Sequence, residues 1–254
     1  MSRDGFRLED VEGVRIVRCE ALEGLPGIAH AFSTRVASGR SDFDLGPGSD
    51  PPAEIVARRA SFLRAAGMPG ASPVVLRQVH GTTLVEDGRS AEADGGIAVF
   101  AAGVRVAPAV RSADCVALLL ADRQAGAVAS VHAGWRGTQA GIARVAVEAL
   151  AARGVPAERL IAALGPAALP CCYEVGPEVA RLFPGFTRPA GGGRSTLDLH
   201  AANAAQLAAA GIPARAIHRA PWCTRCRNDL FFSVRAEGAG AGRLMAVIGG
   251  SGQS

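Results

Sequence analysis

Residues 111–137 read RSADCVALLLADRQAGAVASVHAGWRG, and this stretch decides how the chain folds. Val116–Ala121 and Ala127–His132 are short and strongly apolar. They read as two buried strands joined by the turn Asp122–Gly126. A Gly-containing turn, Gly134–Gly137, then leads into Ala/Arg/Leu spacing over Thr138–Arg153, which reads as a helix. Strand, strand and helix within forty residues predict a mixed α and β domain.

Moving outward, the same alternation holds. Val14–Val17, Ala29–Ser33, Pro73–Gln78, Thr83–Glu86, Gly96–Ala101, Arg105–Val110, Ile161–Leu164, Arg215–Arg219 and Leu244–Ile248 read as strands. Ala53–Ala66 has helical spacing, with Ile55, Phe62 and Leu63 on its apolar side, and stops at Gly67. Pro177–Leu182 starts another helix. Leu197–Ala210 is a third, with Asp198 near its N-cap. Arg40–Pro52 is expected to be a long loop, and Ala190–Arg194 a mobile one. No 20–50-residue repeat and no dividing linker is visible, so a single domain over residues 1–254 is expected.

The chain has 254 residues, 49% apolar and 20% charged, enough for a substantial core. All 27 basic residues are Arg, and Lys is absent. That excludes a Schiff-base lysine, a P-loop lysine and a Ser-Lys dyad. Anions must be held by Arg or backbone N–H groups. The arginines are scattered and aromatics make up only 5%, which argues against nucleic acid and suits a small anion such as phosphate. The N-terminus lacks an apolar signal-peptide core, and the apolar runs are too short to span a bilayer. A cytoplasmic protein with reduced thiols, and no membrane partner, is expected.

Five histidines are present: His30, His80, His132, His200 and His218. His80, in RQVHG, and His132, in SVHAGWRG, sit at predicted strand ends beside glycine. Cys115, in RSADC, directly precedes a buried strand. Ends of adjacent strands converge in space. Two imidazoles and one thiolate suit zinc, and three protein ligands leave a fourth position open, the mark of a catalytic site. Read from chemistry alone, the alternative is a buried Cys115 and hydrogen-bonded core histidines.

The strings RQVHG, ADC and HAGWRG together resemble the YfiH family. This is also called the laccase-domain, multicopper polyphenol oxidase or peptidoglycan-editing-factor (PgeF) family. Further matches are HAFSTR at His30–Arg35, GPAALPCCYEVG at Gly165–Gly176, DLHAANAAQL at Asp198–Leu207, and CT…FFSVR…GR ending at Arg243. The resemblance covers roughly residues 28–250. It implies a metal held by His80, Cys115 and His132, purine nucleoside phosphorolysis with adenosine deamination beside it, and a homodimer. The implied fold is a layered α/β/β/α arrangement related to bacterial deamidating toxins of the CNF type. The chain departs from the family pattern in the loop after FSTR, in SVR where Ser-Tyr-Arg is commoner, and in the extra Cys226.

Beyond the metal ligands, Asp114 and Arg235 are assigned to catalysis, with Asp114 orienting a ligand or the substrate or else capping a turn. Arg35, Arg136 and Arg235 are the phosphate candidates, each weighed against a structural ion pair. Gln78 is assigned to base or ribose. Trp135 is read either as a purine platform or as core. Cys223-Thr-Arg-Cys226 has redox-motif spacing but lacks a partner pair for a zinc ribbon. His30, His200 and His218 are read as structural. Zn2+ is the expected cofactor, with Cu2+ as the alternative, and nucleoside and phosphate are the expected small-molecule partners. The rival functions are a copper-dependent polyphenol oxidase and a cysteine-type amide hydrolase acting on peptidoglycan precursors.

Overall fold

The computed structural model describes residues 5–46, 52–86, 93–99 and 106–251. Its strands, in chain order, are β1 Phe6–Val11, β2 Val14–Cys19, β3 Ile28–Ala37, β4 Ser72–Val75, β5 Leu84–Glu86, β6 Gly95–Val99, β7 Val106–Ser112 and β8 Val116–Asp122. There follow β9 Ala127–Ala133, β10 Leu160–Leu164, β11 Glu174–Val175, β12 Thr187–Gly191, β13 Arg194–Leu197, β14 Ile217–Arg219 and β15 Leu244–Gly250. They form one six-stranded sheet in the order β1-β2-β3-β15-β7-β4 and a second in the order β14-β10-β8-β9-β6-β5. A small third sheet has the order β11-β13-β12.

The period-two rule explains how the layers stack. Along β8, Val116, Leu118 and Leu120 join a core with the helices Ile142–Ala151 and Leu199–Ala209, while Ala117, Leu119 and Ala121 pack between the two large sheets. Along β15, Leu244, Ala246 and Ile248 enter that same inter-sheet core. Met245 and Val247 face the opposite way, beneath the helix Pro52–Ala65 and its Phe62 and Leu63. Helix, sheet, sheet and helix are therefore stacked in the α/β/β/α order expected. Strands buried on both faces read as continuous apolar runs, which is how 116–121 and 127–132 appear in the sequence.

One local expectation is corrected and two features are added. The helix expected over Thr138–Arg153 is two helices, Trp135–Gln139 and Ile142–Ala151. Gly141, at φ 86°, is left-handed and breaks the helical path between them. The segment Ala190–Arg194 is the tip of the β12–β13 hairpin, where Gly191, Gly192 and Gly193 all take positive φ. A strand not foreseen, β1, pairs antiparallel with β2 through the turn at Glu12–Gly13. Its charged FRLEDV sequence hides the alternation and suits a sheet edge. The expected loop Arg40–Pro52 and the expected strands Gly96–Ala101 and Arg105–Val110 lie partly outside the described residues.

Two chain crossings place the site. Between β4 and β5 the chain passes from the first large sheet to the second, and His80 lies on this crossing. Between β7 and β8 it passes again, through Ala113, Asp114 and Cys115.

Candidate metal centre

Register brings the candidate ligands together. Val116 faces Ala133 and Ala117 faces His132 across the β8–β9 ladder, so Cys115 at the entrance of β8 meets His132 near the end of β9. Gly95 on β6 faces Val131 on β9, which sets Asp94 beside His132. Leu84 on β5 faces Gly95 on β6, which brings in the turn that carries His80. The donor atoms of His80, Cys115 and His132 all lie within 4.8 Å of one another. The two imidazole rings meet edge to face, with centroids 4.8 Å apart.

Asp94 organises this cluster, and sequence reasoning missed it. Its carboxylate is fully buried. Oδ1 accepts from the His80 backbone N–H at 2.9 Å and Oδ2 from that of Gly81 at 2.6 Å. Oδ1 also lies 3.0 Å from His132 Nδ1. That contact fixes the ring and leaves Nε2 for an ion, the usual arrangement of a carboxylate behind a ligating histidine. The backbone bonds hold His80 in its left-handed conformation, φ 62°.

The donor set fits a metal on two further counts. Burial alone raises the Cys115 thiol, but the charge of His132 and hydrogen bonds from His132 and His80 outweigh it and bring the thiol down to about 6. A thiolate is thus available at neutral pH, the form that ligates metal. Burial disfavours charge on His132 in the same way, yet the Cys115 charge and Asp94 push it up to about 9. The second count is the space at Gly134. A Cβ there would lie 2.8 Å from His80 Cδ2 and 3.0 Å from Cys115 Sγ, so only glycine leaves the two ligands room.

The three ligands open into a cleft of about 500 Å³, a size that suits a nucleoside-sized ligand. Four arginines line it: Arg77, Arg111, Arg235 and Arg243. The Arg111 Nε is buried without a hydrogen-bond partner among the described residues. Burial, with the charges of Arg59 and Arg243, holds the Arg111 guanidinium below its ordinary pKa. The carboxylate in the cleft wall, Asp114, is already occupied. It accepts from Thr224 Oγ1, Ser233 Oγ and the Arg235 backbone N–H, each at 2.7 Å. The cleft therefore presents guanidinium groups beside a carboxylate whose oxygens are already bonded, which favours an anion.

The residues expected at the site separate into two groups. His80, Cys115, His132, Asp114, Gln78 and Arg235 line the cleft. Asp114, at φ 95°, spends its carboxylate on tying the crossing between the sheets to the segment 224–235. The orienting carboxylate is Asp94. Gln78 spends its amide on the Arg111 backbone, with Nε2 donating to the carbonyl at 2.7 Å and Oε1 accepting from the N–H at 2.8 Å. Arg235 lies with its guanidinium carbon 4.7 Å from the centroid of the Tyr173 ring and donates to the Glu174 carbonyl. Arg35 and Arg136 do not line the cleft. Arg35 pairs with Glu237 at 3.1 Å, bonds the Ser41 and Asn228 carbonyls and covers Phe232. Arg136 covers Trp135, which walls a neighbouring groove. Three of the arginines that do line it stand in the quoted motifs: Arg77 opens RQVHG, Arg111 opens RSADC and Arg243 closes the last match.

Among known proteins, a family model described as "Multi-copper polyphenol oxidoreductase laccase" matches residues 29–251. A purine nucleoside phosphorylase of Deinococcus radiodurans is 36% identical over 239 residues, 87% of this chain and 89% of that one. A protein named adenosine deaminase RL5, from an unknown prokaryotic organism, is 42% identical over 147 residues. That match spans 55% of this chain and 56% of the relative. The crystal structure of YlmD from Geobacillus stearothermophilus superposes with a TM-score of 0.85 at 29% identity, covering 97% of this chain and 99% of that one.

Proposed function

Because this chain belongs to the laccase-like YfiH family, we propose that it is a zinc enzyme acting on purine nucleosides in the cytoplasm, cleaving them with phosphate and also deaminating adenosine. The observation that carries this reading is the joining of an N,N,S donor set to a cleft lined by arginines.

Phosphorolysis forms a bond from phosphate oxygen to the ribose C1′ and breaks the bond from C1′ to the purine nitrogen, which leaves with the electron pair. Positive charge grows on the sugar, so an anion fixed against it lowers the barrier. Arg77, Arg111 and Arg243, all in the cleft wall, would hold the phosphate through their guanidinium groups. Arg235 and Tyr173 form the facing wall, and Val234 adds apolar surface where the commoner family residue is Tyr. His80, Cys115 and His132 would hold the zinc, with Asp94 keeping the His132 ring in place. A bound zinc supplies Lewis acidity, which serves both a departing purine and an incoming water.

Zinc is favoured over oxidase copper because Met68 and Met245, which could tune copper from an axial position, are buried beneath the helix Pro52–Ala65 and do not line the cleft. One observation favours a second reading. Asp94, His132 and Cys115 stand in the order of a carboxylate–imidazole–thiol relay, as an amide hydrolase would need.

Zinc-loaded protein incubated with adenosine, with and without phosphate, separates these readings. Adenine and ribose phosphate are expected only with phosphate, and inosine in both cases. His132→Ala should abolish all three products in a folded protein, and turnover retained in that variant rejects the site. Amide hydrolysis by metal-free protein, blocked by alkylation of Cys115, would establish the second reading instead.

A further inference from the structure

Of the six cysteines, Cys115 serves the centre above and Cys19 is buried in the core between the sheets. The other four, Cys171, Cys172, Cys223 and Cys226, converge. Their sulfur atoms all lie within 4.8 Å of one another. Cys226 Sγ is 3.1 Å from Cys172 Sγ and 3.6 Å from Cys171 Sγ. A disulfide needs about 2.05 Å, so these are free thiols. Four thiolates around a zinc at about 2.3 Å place their sulfurs about 3.8 Å apart, within the range seen here. The sequence shows Cys223-x-x-Cys226 without its partners. The fold supplies them as the adjacent pair Cys171-Cys172.

We propose that Cys171, Cys172, Cys223 and Cys226 form a second, structural zinc site.

The topology explains the meeting. β10 and β14 are parallel neighbours, so the segments that follow them leave the second sheet at the same end. Ala167 and Cys223 form an isolated parallel bridge, and the Thr224 N–H donates to the Ala167 carbonyl at 3.0 Å. The Leu169 N–H lies 3.5 Å from Cys223 Sγ, the kind of backbone bond that favours a thiolate. Four protein donors close the coordination shell, so the site has no open position for substrate and is structural. Cys171 and Cys226 are exposed, which gives an ion a route in.

The site would clamp one wall of the cleft. Tyr173 follows Cys172 and lines the cleft, and Thr224 follows Cys223 and donates to Asp114. A zinc here would tie together the two segments that hold these residues, without itself meeting substrate.

The test counts metal and does not depend on turnover, so it is independent of the proposed reaction. Purified wild-type protein should carry two equivalents of zinc per chain. The Cys223→Ser/Cys226→Ser variant should carry one. In a His80→Ala/His132→Ala background, which removes the first centre, cobalt should still bind at one equivalent. It should show intense sulfur-to-cobalt charge transfer, lost when Cys223 and Cys226 are also replaced. If the serine variants fail to fold, alkylation of wild-type protein decides: zinc should protect Cys171, Cys172, Cys223 and Cys226, and a chelator should expose them. A single equivalent of zinc that the Cys223→Ser/Cys226→Ser change leaves in place, unprotected thiols in zinc-loaded protein, or a Cys172–Cys226 disulfide would each overturn the proposal, whereas a single equivalent lost with that change would count against the first centre instead.

Discussion

Asp94 and Gly134 show how much of the centre rests on residues that ligate nothing. Asp94→Asn keeps the shape but gives up the charge that steadies His132 Nδ1. Zinc affinity should fall by roughly 10–100-fold, as for other second-layer partners of a ligating histidine. Competition with a calibrated chelator measures this, and excess zinc should restore turnover. An unchanged affinity would mean that Asp94 serves only the backbone of His80 and Gly81. Gly134→Ala adds a methyl 2.8 Å from His80 and 3.0 Å from Cys115. Since His80 is the exposed ligand, it should give way, and zinc affinity should fall by at least about tenfold with thermal stability little changed. Unaltered zinc binding in that variant would show that the ligands stand further from Gly134 than the geometry places them. Neither residue announces itself in the sequence. Asp94 sits in the polar stretch SAEADGG, and its role exists only because Gly95 pairs with Val131. Gly134 lies in the visible motif HAGWRG, but its reason is a clearance between two other side chains.

At the level of elements, apolar periodicity was readable wherever burial was strong. β8 and β9 stand out because both faces are covered, and helix Leu199–Ala209 because Asp198 caps it, accepting from the Ala201 N–H at 2.8 Å. Periodicity failed where one glycine mattered. Residues 138–153 keep helical spacing across Gly141, whose left-handed φ only the backbone reveals. Gly141→Ala should therefore destabilise the protein by about 1–2 kcal/mol, the cost of a left-handed alanine. Urea unfolding would show it as a lower midpoint at constant slope, with turnover intact because Gly141 does not line the cleft. A stabilised variant would indicate that the two helices can fuse into the longer one the spacing suggests. The cysteine quartet failed to appear for a different reason. Its halves lie some fifty residues apart, and only the parallel pairing of β10 with β14 joins them.

For the molecule as a whole, two histidines far from the cleft govern how it meets acid. His30 lies on the face of β3 that looks into the inter-sheet core, and its Nε2 accepts from the Cys19 N–H at 2.9 Å. Burial, with the charges of Arg18 and Arg7, lowers it to about 3. His200 sits beneath the second sheet with Nε2 2.9 Å from the Gly165 carbonyl, and burial lowers it to about 4 despite that bond. Both values lie below the ordinary 6.5. As pH falls through 6.5, the unfolded chain takes up protons at His30 and His200 that the folded chain refuses, and His218, lowered by burial and the charge of Arg123, adds to the effect. Stability must then drop, by up to about 1.4 kcal/mol per pH unit for each histidine, until the folded values are reached. His132, raised to about 9 in the metal-free chain, offsets this only near pH 7, where its unfolded form is still titrating, and no longer does so once pH is well below 6.5. Asp94 and Asp122 are lowered from 3.8, so they act only at more acid pH. Against a typical total of about 5–15 kcal/mol, a loss of this size is expected to weigh heavily in how the fold meets acid. Unfolding free energies from pH 7 to pH 4.5 should fall steeply for wild type and less steeply for His30→Gln, which removes the titrating group and keeps an acceptor for the Cys19 N–H. Parallel curves for the two proteins would mean that His30 already takes its proton in the folded state, and that burial between the sheets is looser than the packing of β3 requires.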